Sequence, residues 1–267
     1  MFDLIRHWFR RPTAAPEPDA DLWQTVEDDL PFLDYLQPSE RKRLRMLATG
    51  FLASKRFHGA HGLELDDGML LTIALQACLP ILRSGLESYK GWTGVIVYPG
   101  DFVIPRQEID EDGIVHEYEE AVLGEAWEGG PVLVSWFERK HLPDGINVVI
   151  HEFAHKLDME NGAADGCPRL PADLPLRQWS RAFSAAFAHF RAAVDAGNDT
   201  LLDPYGAEDP GEFFAVTSET FFEWPCALQA AYPEVYAQLA CLYGVDPASG
   251  ERRLNTPPCH GTDVFPD

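Results

Sequence analysis

Residues 147–158, NVVIHEFAHKLD, limit what this chain can fold into more than any other stretch. Val148, Val149, Ile150, Phe153, Ala154 and Leu157 cover most faces of a helix, which predicts a mostly buried element. The same helix carries His151, Glu152 and His155. Positions i and i+4 share a face, so both imidazoles leave the helix in one direction. Buried polar groups without partners are costly, at about 2–7 kcal/mol each. A fold containing this helix must therefore bring partners to it. One metal ion would serve: two neutral ring nitrogens hold it, and Glu152 beside them reaches a metal-bound water. HExxH alone is moderately specific, and a surface helix with two histidines is the simpler reading. The apolar flanks argue against it.

A metal here needs a third protein ligand. The extension that adds Gly and then His at three-residue steps is absent, because Asp158 and Asn161 occupy those places. The candidates are Asp158, His189, Glu208, Glu212, Glu219 and Glu223. Asp158 shares the face of the two histidines and suits a supporting role behind a ligand. His189 lies on an Ala/Phe-rich helix, where a satisfied, partly buried histidine is the commoner outcome. Asp209-Pro210-Gly211-Glu212 reads as a helix start, with Asp at the N-cap and Pro at N1. Glu212 thus has an ordinary explanation as a capping carboxylate. Yet Glu212 and Glu219 fall nearly on one face with Ala215 and Val216, which again suggests a buried cation. Spacing alone does not choose between the two.

Composition narrows the class. The 267 residues include 21 Lys+Arg and 43 Asp+Glu, a net charge of −22. Phosphate binding rests on clustered cations, so nucleic acid is disfavoured as a direct partner, as is an anionic membrane surface. A hydrophobic content of 46% is too high for a disordered chain. No run approaches the roughly 20 apolar residues of a membrane span. The N-terminus, MFDLIRHWFRRPTAAPEPDA, lacks a signal peptide's long apolar region and cleavage site. Five cysteines without a CxxC pair fit reduced thiols. Together these predict a cytoplasmic globular protein.

Helical spacing is expected over 22–52, broken at Pro31 and Pro38 with Ser39 as an N-cap, and over 67–82, 148–157, 176–196, 211–223 and 233–243. Strands are expected at 95–99 and 132–137, with a further strand and a turn between them. Helices, then strands, then helices indicate an α+β fold. The predicted division is a flexible segment at 1–20, one domain at 21–250 and an irregular tail at 251–267.

The segments LQACLPIL, VIVYPGDFVIP, GEAWEGGPVLVSW, NVVIHEFAHKLDMENG and DPYGAEDPGEFFAVTSETFFEWP cover most of residues 50–245. In them the chain resembles the Mlc titration factor A family of bacterial zinc metallopeptidases. Its site is similar to that of the anthrax lethal factor protease domain. The resemblance implies a mainly helical zincin-like domain with a small mixed β-sheet beside the HExxH helix. It implies one Zn²⁺ per chain, with Glu212 joining His151 and His155 as ligands and Glu152 and Tyr205 in catalysis. Glu219 then becomes, with Asp158, a supporting carboxylate. Peptide or protein substrates are implied, with aminopeptidase action and binding of an Mlc-type transcriptional repressor as further expectations. A non-catalytic regulator that sequesters such a repressor is the alternative. Strand 132–136 is a candidate edge for an extended substrate. Cys259 and His260 are a candidate plug over the metal.

Overall fold

The computed structural model of the chain describes residues 19–109, 115–137 and 145–255. The proposed plug residues Cys259 and His260 lie outside them, as do residues 1–18 of the predicted flexible segment. Helices α1 (Ala20–Asp28) and α2 (Pro38–Ser54) come first, then strand β1 (Arg56–Gly59) and helix α3 (Asp67–Cys78). Five more strands follow: β2 (Gly94–Tyr98), β3 (Phe102–Ile109), β4 (Val115–Val122), β5 (Gly124–Ala126) and β6 (Val132–Ser135). Then come α4 (Val148–Asp158), α5 (Leu176–Asp195), α6 (Pro210–Glu223), α7 (Pro225–Ala231), α8 (Pro233–Tyr243) and α9 (Pro247–Asn255). The fold is α+β, as expected. No helix among the described residues is long and apolar enough to cross a membrane.

The main sheet has the order β1-β2-β6-β5. The pairs β1–β2 and β2–β6 are parallel and β5–β6 is antiparallel, so the sheet is mixed. Strands β3 and β4 form a separate antiparallel hairpin. The apolar back of α4 packs into an aromatic cluster, where the Phe153 ring lies 5.5 Å from Phe51, 5.4 Å from Tyr89 and 5.9 Å from Trp92. Burying a side chain such as Phe153 contributes about 1.5–3 kcal/mol, so the cluster anchors the motif helix. Helix α6 is buried nearly all round. The rings of Phe213 and Phe214 meet Phe190 and Trp179 of α5 at 5.6 and 5.8 Å. Phe221 and Phe222 meet Tyr236 and Tyr243 of α8 at 5.0 and 5.1 Å. Its carboxylates Glu212, Glu219 and Glu223 face α4 and its N-cap.

Three local expectations are corrected. The N-cap of α2 is Gln37, whose N–H donates to Glu40 at 2.6 Å, and Ser39 lies inside the helix. The strand at 132–135 is interior, between β2 and β5, and not an edge. Its continuous burial explains its lack of alternation. The edge beside α4 is the three-residue β5. Finally, the segment expected to be irregular forms α9 up to Asn255. Docking compensates for its weak local propensity. Glu251 accepts from Cys226 N–H at 2.9 Å and Arg253 donates to the Tyr35 carbonyl at 3.2 Å. Gly250 lies so close to Tyr35 that a Cβ would stand 2.6 Å from its Cα.

Candidate active site

The site begins at Asn147, which is buried at the N-cap of α4. Its Oδ1 accepts from Ile150 N–H at 3.0 Å. Its Nδ2 donates to Gln76 of α3 at 2.7 Å and to Glu223 of α6 at 2.8 Å. Its own N–H donates to Glu219 at 2.5 Å. One side chain thus caps the motif helix and ties it to two neighbours, with every polar atom paired.

The start of α6 is set by its cap and by the loop after α4. Asp209 Oδ1 accepts from the N–H groups of Gly211 and Glu212 at 2.7 and 3.0 Å. The cap is therefore supplied by Asp209, which leaves the Glu212 carboxylate for α4. Asp158, at the end of α4, accepts from Gly166 N–H at 2.7 Å, and Trp179 donates to the Gly166 carbonyl at 2.9 Å. Gly166 has φ +79° and a Cβ there would stand 2.8 Å from the Pro210 carbonyl carbon. Only glycine meets both conditions, and it lets the loop bracket the two helices. Asp158 makes no hydrogen bond to either histidine among those described.

Helix α6 crosses α4 so that two of its carboxylates, Glu212 and Glu219, straddle His151. Glu212 Oε2 lies 3.0 Å from His151 Nε2 and 3.3 Å from His155 Nε2. The two Nε2 atoms are 3.1 Å apart. Glu219 Oε1 lies 2.8 Å from His151 Nδ1, on the opposite side of the ring. Tetrahedral zinc with bonds of about 2.0–2.2 Å separates its donors by about 3.3–3.6 Å, so these three atoms come within a few tenths of an ångström of the spacing one such ion needs. A hydrogen bond from Nδ1–H to Glu219 leaves Nε2 with its lone pair toward that point. The remaining candidates stand elsewhere: His189 and Glu208 are exposed, and Glu223 is engaged by Asn147.

Glu152 is only 4% exposed. Burial raises its carboxyl to about 8, and the nearby charges of Glu212, Glu219 and Glu125 add to this against the pull of His151. Burial would lower His151, but its hydrogen bonds with Glu212 and Glu219 prevail and hold it well above the usual imidazole value. Burial pushes Glu212 up, yet the two imidazoles outweigh it and keep it well below the usual carboxylate range. Burial raises Glu219 despite its bond to His151.

These groups line a cleft of about 640 Å³, whose walls include β5, Ile146, Leu201, Tyr205, Val216 and Trp224. The ring of Tyr205 lies 6.0 Å from that of His151 and is 42% exposed. It is carried by a short helix, Pro204–Ala207, that packs on α6. The cleft also holds Glu125 and Asp203, and no Lys or Arg lines it among the described residues. Sequence reasoning missed Gly124, Glu125 and Asn147. Only Asn147 carried a local signal, as a capping residue directly before an apolar helix.

An HExxH helix crossed by a carboxylate-bearing helix and bordered by a short edge strand is the arrangement of a metallopeptidase. The chain matches the family described as glucose-regulated metallo-peptidase M90 over residues 5–244. It is 36% identical over 248 residues to Mlc titration factor A of Escherichia fergusonii, covering 90% of this chain and 92% of that protein. It is 36% identical over 255 residues to Mlc titration factor A of Cronobacter sakazakii, covering 94% and 95%. An uncharacterized protein of Synechocystis sp. is also 36% identical over 250 residues, covering 90% of each. The chain belongs to the M90 metallo-peptidase family.

Proposed function

We propose that this chain is a zinc-dependent peptidase that hydrolyses peptide bonds in the cytoplasm, with His151, His155 and Glu212 as ligands and Glu152 as the base. The observation that carries this reading is the set of three donor atoms 3.0–3.3 Å apart beside a buried carboxylate. Bound there, zinc would supply Lewis-acid polarisation, a water with its pKa lowered to about 7, and positive charge favouring ionised Glu152. Glu152 takes a proton from the attacking water and returns it to the leaving nitrogen. Tyr205 O–H donates to the developing oxyanion or to that nitrogen, a contribution on the order of 3 kcal/mol. Glu219 keeps His151 in the required tautomer and orientation. Strand β5 offers backbone groups to an extended peptide at the cleft rim.

The cleft's acids define a substrate preference. Glu125 and Asp203, with no Lys or Arg lining the cleft among the described residues, favour neutral or cationic peptides and a free amino terminus over acidic ones. In a series of one peptide with basic, neutral and acidic flanks, kcat/KM is expected to fall about tenfold from basic to acidic at low salt. The difference should narrow as salt screens it. N-acetylation is expected to slow cleavage, in keeping with aminopeptidase action. Faster cleavage of the acidic member at low salt would contradict the preference.

The relatives' name supports a second role, binding of an Mlc-type transcriptional repressor. A non-catalytic regulator would gain nothing from Glu152 placed between two metal-facing histidines, so peptidase action is the primary reading. A pull-down of the repressor with E152Q separates binding from hydrolysis.

A further inference from the structure

Strand β5 begins at the point where the sheet edge touches the base. We infer that Gly124 is a positioning residue for Glu152: its missing side chain is the space in which the catalytic carboxylate is held. The inference rests on the base role of Glu152 proposed above.

A Cβ on Gly124 would stand 2.5 Å from Glu152 Cγ and 2.6 Å from Cδ, and would also overlap Oε1. Carbon atoms in favourable contact lie about 3.5–4.0 Å apart. The whole outer arm of Glu152 therefore occupies the volume that any other residue at 124 would claim. Backbone conformation gives no separate reason for glycine, since Gly124 is not among the residues with positive φ. In a strand, glycine is otherwise a weak choice. Close approach is the remaining explanation.

The strand cannot simply step aside. Gly124, Glu125 and Ala126 pair in register with Val134, Leu133 and Val132 of β6. Just before them, the Leu123 carbonyl accepts from Ser135 N–H at 2.7 Å. Lys156, one turn beyond Glu152 on α4, donates from Nζ to the carbonyls of Trp127 and Gly130 at 2.7 and 3.1 Å. Those carbonyls belong to the turn that closes the β5–β6 hairpin. Helix α4 thus grips the hairpin at its turn through Lys156 and meets it at Gly124. With strand and helix both fixed, a methyl group at 124 must be accommodated by Glu152, which is itself buried.

The test is G124A, measured beside wild type, E152Q and E152A. A misplacement near 1 Å can cost about 100-fold. We expect G124A to lower kcat by about that factor, with KM within about threefold and zinc content unchanged. We also expect G124A to lower Tm when Glu152 is present but not in the E152A background, where the arm is gone. A merely structural glycine would lower Tm equally in both backgrounds. Wild-type kcat in G124A, lost zinc, or equal Tm changes in the two backgrounds would each overturn the inference. The Tm comparison decides even if G124A alone folds poorly. If E152Q cleaves as fast as wild type, the base role fails and this inference with it. If E152Q is inactive while G124A is fully active, only the role of Gly124 fails.

Discussion

E152Q is expected to retain zinc while losing about 10²–10⁴-fold in kcat, the range associated with removing a positioned acid–base group. That loss corresponds to about 3–5 kcal/mol of transition-state stabilisation. The substitution is a sharp probe because it keeps the shape of a side chain packed between β5 and the metal-facing histidines. Glu152 is not among the three clustered donors, so metal content has no reason to change. Glutamine cannot accept the water's proton at the reaction's start, and so cannot deliver it to the departing amine. Single-turnover hydrolysis with parallel metal analysis checks both halves. Wild-type cleavage by E152Q would remove the mechanism at its root.

The second large effect concerns Glu212 and Glu219, which flank the same imidazole. Glu212 faces the Nε2 atoms of both histidines, whereas Glu219 reaches only Nδ1 of His151 among the imidazole nitrogens and also accepts from the Asn147 N–H. E219A should weaken zinc binding by about 10–100-fold, as is usual for a group that orients a ligand. E212A removes one of three donors and its charge, and is expected to exceed that range, with hydrolysis lost in step. Competition with a chromophoric chelator ranks the two directly. A larger loss from E219A would mean that the ligand and its support have been assigned the wrong way round.

How far these positions could be read without the structure depends on how local their causes are. The motif helix was legible because its apolar flanks and its i, i+4 histidines lie within one short stretch. Glu212 was ambiguous, since Asp209-Pro210 gave it a sufficient local role at a helix start. Its approach to both histidines follows from how α6 crosses α4, which only long-range packing decides. The bracket of Asp158, Gly166 and Pro210 is equally non-local. Strand β5 is three residues long and has no period to detect, so neither the true sheet edge nor the contact between Gly124 and Glu152 could be anticipated. Helix α9 carries a proline and a glycine and is weak in isolation. Its contacts with Tyr35 and Cys226 stabilise it. Strand β3 contains Pro105, which disguises a hairpin strand, and β1 is four residues ending in glycine.

The central claim is that one metal ion, held by His151, His155 and Glu212, makes this chain a peptidase. Elemental analysis of the zinc-saturated protein, with peptide hydrolysis followed on the same sample through chelation and reconstitution, tests it most directly. The account predicts about one zinc per chain, with hydrolysis abolished by the chelator and restored by an equimolar addition of zinc. Undiminished hydrolysis by the metal-free chain, or a saturated protein that holds no zinc, would contradict it.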